Sequence, residues 1–213
     1  MGEELLEAIR GRRSIRRFTD KPVSDDDVRR VVEAGTWAPS GANLQMWRFH
    51  AVRSRETLSE MLGALDERIE AVRAKVTSKS ALRMYNGYVA HFGHFAAAPV
   101  VIAAQAKRYD SIFTRIAAKY APELAGIDEA ELVNVGAMSV SAAVENMLLA
   151  AHALGLGSCW LTGPLVAQEA LEKILGVEPP WRLVSLVTLG EPAHSPEAPE
   201  RKPLEEVLSF EGE

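Results

Sequence analysis

Apolar and polar positions follow two periods along this chain, and the switches between them mark out the elements. Near the N-terminus Leu5, Leu6 and Ile9 recur at helical spacing before Gly11, which predicts a short helix that stops there. Ser24 precedes three aspartates and then Val28, Val31 and Val32, the pattern of a capped helix with an acidic first turn, expected to end near Gly35 or before Pro39. Residues 38–43 read as a loop by composition, and residues 47–52 alternate as a half-buried strand does. One or two charged amphipathic helices are expected over 53–79. The continuous apolar run at 99–104 fits a strand covered on both faces.

The second half is more apolar. After a polar insertion at 107–131, residues 132–154 predict a long helix that Gly155 and Gly157 end. Gly136, Ala137, Ser139, Ser141, Ala142 and Ala143 make it rich in small side chains, so a central position, or one at a subunit interface, is expected. A strand at 158–161, a helix at 167–175 and a strand at 182–189 follow, then a Pro-rich tail. With no repeat, long linker or low-complexity block, the reading is a single α+β domain over 1–213.

Composition narrows this. The 213 residues carry 24 Lys plus Arg against 29 Asp plus Glu, a formal net charge of −5 that disfavours a nucleic-acid binder working by bulk electrostatics. One cysteine allows no internal disulfide and no multi-cysteine zinc site, which suits a reducing, cytoplasmic setting. The N-terminus, Met-Gly-Glu-Glu, has acid where a signal peptide places positive charge. Residues 133–157 are long and apolar, yet Glu145, Asn146 and His152 would be costly in lipid, so no membrane association is expected.

One feature runs against the acidic balance: Arg10, Arg12, Arg13, Arg16 and Arg17 fall within eight residues, with Ser14 among them. Such a run is either a solvated face or a site where guanidinium forks and a hydroxyl converge on a small anion, and a phosphorylated ligand suits the second. The lone Cys159 lies in an apolar Ser-Cys-Trp-Leu strand and reads as inert core. His91 and His94, at i and i+3, lack a carboxylate or thiol beside them, and no metal is expected. Glu145 is either a satisfied carboxylate or the edge of an apolar stripe, with the structural reading favoured.

The run at 12–18, Arg-Arg-Ser-Ile-Arg-Arg-Phe, followed by Ala-Pro-Ser-Gly-Ala-Asn-Leu-Gln-Met-Trp-Arg-Phe at 38–49, resembles the nitroreductase family of flavin enzymes. Further matches continue in family order: Gly-Leu-Gly-Ser-Cys-Trp at 155–160, Leu-Gly-Val at 175–177, Leu-Gly-Glu-Pro at 189–192 and Arg-Lys-Pro-Leu-Glu-Glu at 201–206. The resemblance implies an α+β sandwich with a central antiparallel sheet flanked by helices, an intertwined homodimer, and FMN at each subunit interface. Arg12, Arg13, Ser14 and Arg16 would serve the phosphate, ribityl chain and pyrimidine edge, with Arg201 returning to the phosphate. Pro39, Ser40, Gly41, Asn43 and Gln45 would reach the ring from the other subunit, and Leu161, Thr162 and Gly163 would line its other side, offering a backbone N–H to N5.

The family likeness also implies the reaction. NADH or NADPH would reduce the flavin, and a small electron acceptor, a nitroaromatic, a quinone or another flat electrophile, would reoxidise it in a ping-pong cycle with no protein acid or base required. Residues 81–131 would form a lid, with Tyr85, Tyr88, His91 and Phe92 toward substrate, and 190–213 a C-terminal extension. The lysine that some relatives place at the flavin pyrimidine is missing, Gly93 standing near its expected place. Two alternatives stay open: the same flavin fold with other redox chemistry, such as reductive dehalogenation or enone reduction, and a non-catalytic binder of a phosphorylated ligand.

Overall fold

The computed structural model describes residues 2–107, 109, 111–124 and 129–212; part of the expected lid, at 108, 110 and 125–128, lies outside them. Helix α1 (Gly2–Gly11) ends at the glycine that its spacing marks. Helix α2 (Asp25–Thr36) opens on Ser24, whose hydroxyl accepts from the Asp27 N–H. It ends at Thr36, beside Gly35 and before Pro39, as expected. Gly35 also serves packing: a Cβ there would stand 2.8 Å from Met147 Cγ, so its absence lets α2 lie close against the long helix.

Strand β1 (Trp47–Val52) is followed by helices α3 (Arg55–Arg73) and α4 (Lys79–Val89), a 3-10 turn at Phe92–Ala97, and strand β2 (Val100–Lys107). Helix α5 (Ile112–Tyr120) falls in the polar insertion. Helix α6 (Glu129–Ala153) leads through left-handed Gly155 into strand β3 (Gly157–Leu161), and helix α7 (Gln168–Leu175) into strand β4 (Trp181–Gly190). The strands form one antiparallel sheet in the order β1-β2-β4-β3.

Two cores sandwich that sheet. Val101, Ala103, Leu183 and Leu186 face Leu58, Met61, Leu65 and Leu171 of α3 and α7, while Ile102, Ala104, Val187 and Leu189 face α2 and α6 through Val31, Val144 and Met147. The unbroken apolar sequence of β2 follows from this: its odd residues serve one core and its even residues the other. The small side chains of α6 do what their size suggests, for Gly136 lies against the end of β2 and Ala143 against Gly35. Asn146 adds a donor to the Ala34 carbonyl at 3.2 Å.

Candidate functional site

After α1 the chain becomes extended and lies along β3. Ser14 pairs with Ser158 in a parallel bridge, and the Ile15 N–H donates to the Ser158 carbonyl at 2.8 Å. Ile15 is 7% exposed and pressed onto Gly157, where a Cβ would come within 2.7 Å of Ile15 Cγ2. Any larger residue at 157 would lift this segment off the sheet. Beyond it, Phe18 bridges Pro192, Thr19 N–H bonds to the Glu191 carbonyl, and Ala193 N–H bonds to Arg17. A Cβ at Gly190 would meet the Phe18 ring at 2.7 Å, which accounts for the Leu-Gly-Glu-Pro run in the sequence.

An extended segment alternates its side chains. With Ile15 turned into the protein, Arg12, Ser14 and Arg16 share the other face. Their common neighbour is Cys159, whose thiol burial pushes up while Arg16, a hydrogen bond with Ser14, and Arg12 pull it down. Burial prevails, so the thiol stays protonated and is not a ready nucleophile. Arg13 turns the other way: its Nη1 donates to the carbonyls of Arg10 and Arg12 at 2.6 and 2.8 Å, closing the C-terminus of α1.

A cavity of about 250 Å³ adjoins the segment, bringing Arg12 and Arg13 together with His152, Ser158, His194 and Ser195. Among the described residues three buried side-chain nitrogens are unpartnered: Arg12 Nε and His194 Nδ1, from residues that line this cavity, and His94 Nε2, whose ring lies near Arg16. His94 was not singled out as a ligand contact by sequence. Its Nδ1 donates to the His91 carbonyl, which leaves the neutral tautomer's lone pair on Nε2. The signal that could have marked it is a polar ring inside an otherwise apolar aromatic stretch close to the missing lysine.

Burial holds the His94 pKa below its ordinary value, with Arg16 and His91 adding to the fall and the bond to the His91 carbonyl opposing it. The folded chain therefore binds this proton less readily than the unfolded one. Stability contributed above the ordinary histidine value of 6.5 is lost as pH falls below it toward the folded value. Melting curves should show wild type losing more thermal stability between pH 7 and 5 than His94→Gln, and parallel losses would contradict this assignment.

The other expected contacts are distributed unequally. Gly163 follows β3, and a Cβ there would meet the Phe92 ring at 2.5 Å, so Phe92 is held beside it; Tyr88 packs edge-on against Phe92 with centroids 5.1 Å apart. Tyr88 and His91 are exposed. Tyr85 is half-buried and its hydroxyl donates to the Ile69 carbonyl at 3.1 Å, a contact that ties α4 to α3. Leu161 is buried in the core, leaving its backbone rather than its side chain for a ligand, and Thr162 is exposed.

The 39–45 loop lies elsewhere in the protomer. Gly41 N–H reaches Ser139 Oγ at 3.5 Å, and Ser40 Oγ accepts from the Gln45 N–H. Ala42, Asn43 and Gln45 all adopt positive φ, conformations that cost non-glycine residues energy. Pro39, Asn43 and Gln45 are exposed. Arg201 is exposed too and has no hydrogen bond or ion pair among the described residues.

The chain resembles known proteins over most of its length. A family model described as the nitroreductase family matches residues 9–191. A Thermus thermophilus protein named NADH dehydrogenase is 30% identical over 92% of this chain and 91% of its own length. The crystal structure of a BluB-like flavoprotein from Clostridium difficile superposes with a TM-score of 0.87 at 29% identity, covering 98% of this chain and 99% of that one. A nitroreductase with bound FMN from Bacteroides fragilis superposes with a TM-score of 0.67 at 28% identity, over 98% and 99% of the two chains.

Proposed function

Because the chain belongs to the nitroreductase family of FMN-dependent NAD(P)H oxidoreductases, we propose that it carries hydride from NADH or NADPH to a flat electrophile such as a nitroaromatic or a quinone, in a ping-pong cycle. The observation that carries this reading is the single face formed by Arg12, Ser14 and Arg16, pinned to β3 by Ile15 and Gly157. The orphaned buried nitrogen His94 Nε2, with Arg16 beside it, is the kind of group that a polar ligand satisfies. The residues therefore fit FMN.

When bound, the flavin supplies the centre that accepts and releases hydride; the chain supplies binding, orientation and electrostatics. Arg12 and Ser14 hold the phosphate end, which carries about two negative charges and needs several donors, and Arg201 is available to join them. Arg13 closes α1. Arg16, with His94 beside it, serves the pyrimidine edge, where a fixed positive charge favours the reduced, anionic form. Backbone of Leu161, Thr162 and Gly163 lines the ring, and Phe92 with Tyr88 and His91 borders the substrate, with Tyr85 as their structural support.

Residues 1–213 act as one domain with 81–131 as the lid and 190–213 as an extension, and the chain works as a homodimer in the cytoplasm. Dimerisation is supported by apolar side chains that one protomer leaves exposed, Leu5, Leu6 and Ile9 on α1, Trp37 after α2, Met138 on α6 and Phe210 in the tail. It would let Pro39, Ser40, Gly41, Asn43 and Gln45 of one protomer meet the arginine face of the other. No described helix is long and apolar enough to cross a membrane.

A second reading keeps the flavin and changes the reaction to reductive dehalogenation or enone reduction. The superposition on a BluB-like flavoprotein supports the flavin and does not select the acceptor. The test starts with colour: protein purified without added cofactor should be yellow and bleach with NADH or NADPH under anaerobic conditions. Reoxidation by nitroaromatics or quinones supports the first reading; reoxidation confined to halogenated or enone acceptors supports the second. A colourless protein that takes up no FMN would exclude both.

A further inference from the structure

Glu145 projects from α6 beside the arginine segment, and nothing in the reading above uses it. Its Oε1 is 3.6 Å from Arg12 Nε, the buried nitrogen that has no hydrogen-bond partner. A buried guanidinium N–H without an acceptor is costly, and a small closure of this distance would make the pair a charge-assisted hydrogen bond. Exposure differs across the pair, 18% for the Arg12 side chain and 45% for Glu145. Water therefore screens the carboxylate more than the guanidinium.

A guanidinium has two edges able to bind anions. One runs from Nε to an Nη, the other across the two terminal nitrogens. A carboxylate on the Nε side leaves the terminal edge free. Gly11 allows the required approach of the chain to α6, since a Cβ there would stand 3.1 Å from His152 Nε2. Arg12 is thus delivered between α6 on one side and Cys159 with Ser14 on the other.

We propose that Glu145 is a positioning residue: it grips Arg12 by the Nε side and so turns the terminal edge of the guanidinium toward the phosphate of the flavin. This rests on the FMN reading. Glu145 does not touch the ligand. It acts through Arg12, by removing side-chain rotamers that would otherwise have to be frozen on binding.

The test is to measure dissociation constants of FMN and of riboflavin, which lacks the phosphate, by flavin fluorescence. Wild type, Glu145→Ala, Glu145→Gln, Arg12→Ala and the Arg12→Ala/Glu145→Ala double variant are compared. Glu145→Ala should weaken FMN about tenfold and leave riboflavin within about twofold, the size expected for one charge-assisted hydrogen bond. Glu145→Gln, whose amide oxygen still accepts from Nε, should stay within about threefold of wild type. On the Arg12→Ala background the second substitution should change nothing.

Equal weakening of FMN and riboflavin by Glu145→Ala would overturn the proposal in favour of a general structural role. So would an undiminished effect in the double variant, unchanged FMN affinity in Glu145→Ala, or a Glu145→Gln loss as large as that of alanine. A wild type that binds FMN no better than riboflavin fails differently. It would bring down the phosphate site at Arg12 itself, and Glu145 with it.

Discussion

Arg12→Ala should weaken FMN binding by about a hundredfold, roughly 2.7 kcal/mol, while Arg17→Ala should change it by less than about twofold. The two arginines are five residues apart, but only Arg12 joins Ser14 and Arg16 around Cys159. Arg12 is largely enclosed and stands close to Glu145 and Cys159. Arg17 is exposed and contributes its carbonyl, which accepts from the Ala193 N–H, a bond that survives truncation of the side chain. Flavin fluorescence titrations at fixed ionic strength would measure both variants, and similar losses would mean that the cluster acts as diffuse positive charge with no defined face.

The largest expected effect on stability is at Gly136→Ala. A Cβ at that position would stand 2.3 Å from the Lys107 carbonyl oxygen, a backbone atom at the end of β2 that cannot swing aside. Either the N-terminal part of α6 or the end of β2 must shift, and overpacking of this kind costs about 3 kcal/mol. For a chain of this size that lowers the melting temperature by roughly 6–12 °C. Gly63→Ala gives the opposite sign. Gly63 is in the interior of α3 with nothing within 4 Å of its Cβ direction, so alanine there should add about 0.5–1 kcal/mol by helix propensity. Calorimetry of the two variants beside wild type would separate glycines kept for contact from those kept for nothing structural.

Local pattern was enough for most of the fold, and the reasons are physical. Period two marked β1, an unbroken apolar run marked β2, and the caps at Ser24 and Gly155 marked helix ends, because each is a property of adjacent residues. Gly35 shows where that logic runs out. It marks the end of α2, which closes at Thr36, but its packing role is set by Met147, more than a hundred residues on. The candidate site divides in the same way. Arg12, Ser14 and Arg16 were visible as a motif, but the turning away of Arg13 depends on the carbonyls left open at the end of α1. Tyr85 looked like a substrate contact by its aromatic company, yet its hydroxyl belongs to the Ile69 carbonyl. His94 could not be placed beside Arg16 by any spacing rule, since only the packing of the Phe92–Ala97 turn brings them together.

The docking of Ile15 onto Gly157 also imposes a rule of parity on this stretch of chain. Between Arg13 and Ile15 the backbone can change length only by even steps without exchanging which side chains would face the proposed cofactor. One inserted residue would send Arg13 to the ligand side and Arg12 away from it, leaving the fold standing and the site emptied. Two inserted residues would restore the order, so loss and recovery of yellow colour in a pair of insertion variants would read out the register of the segment directly.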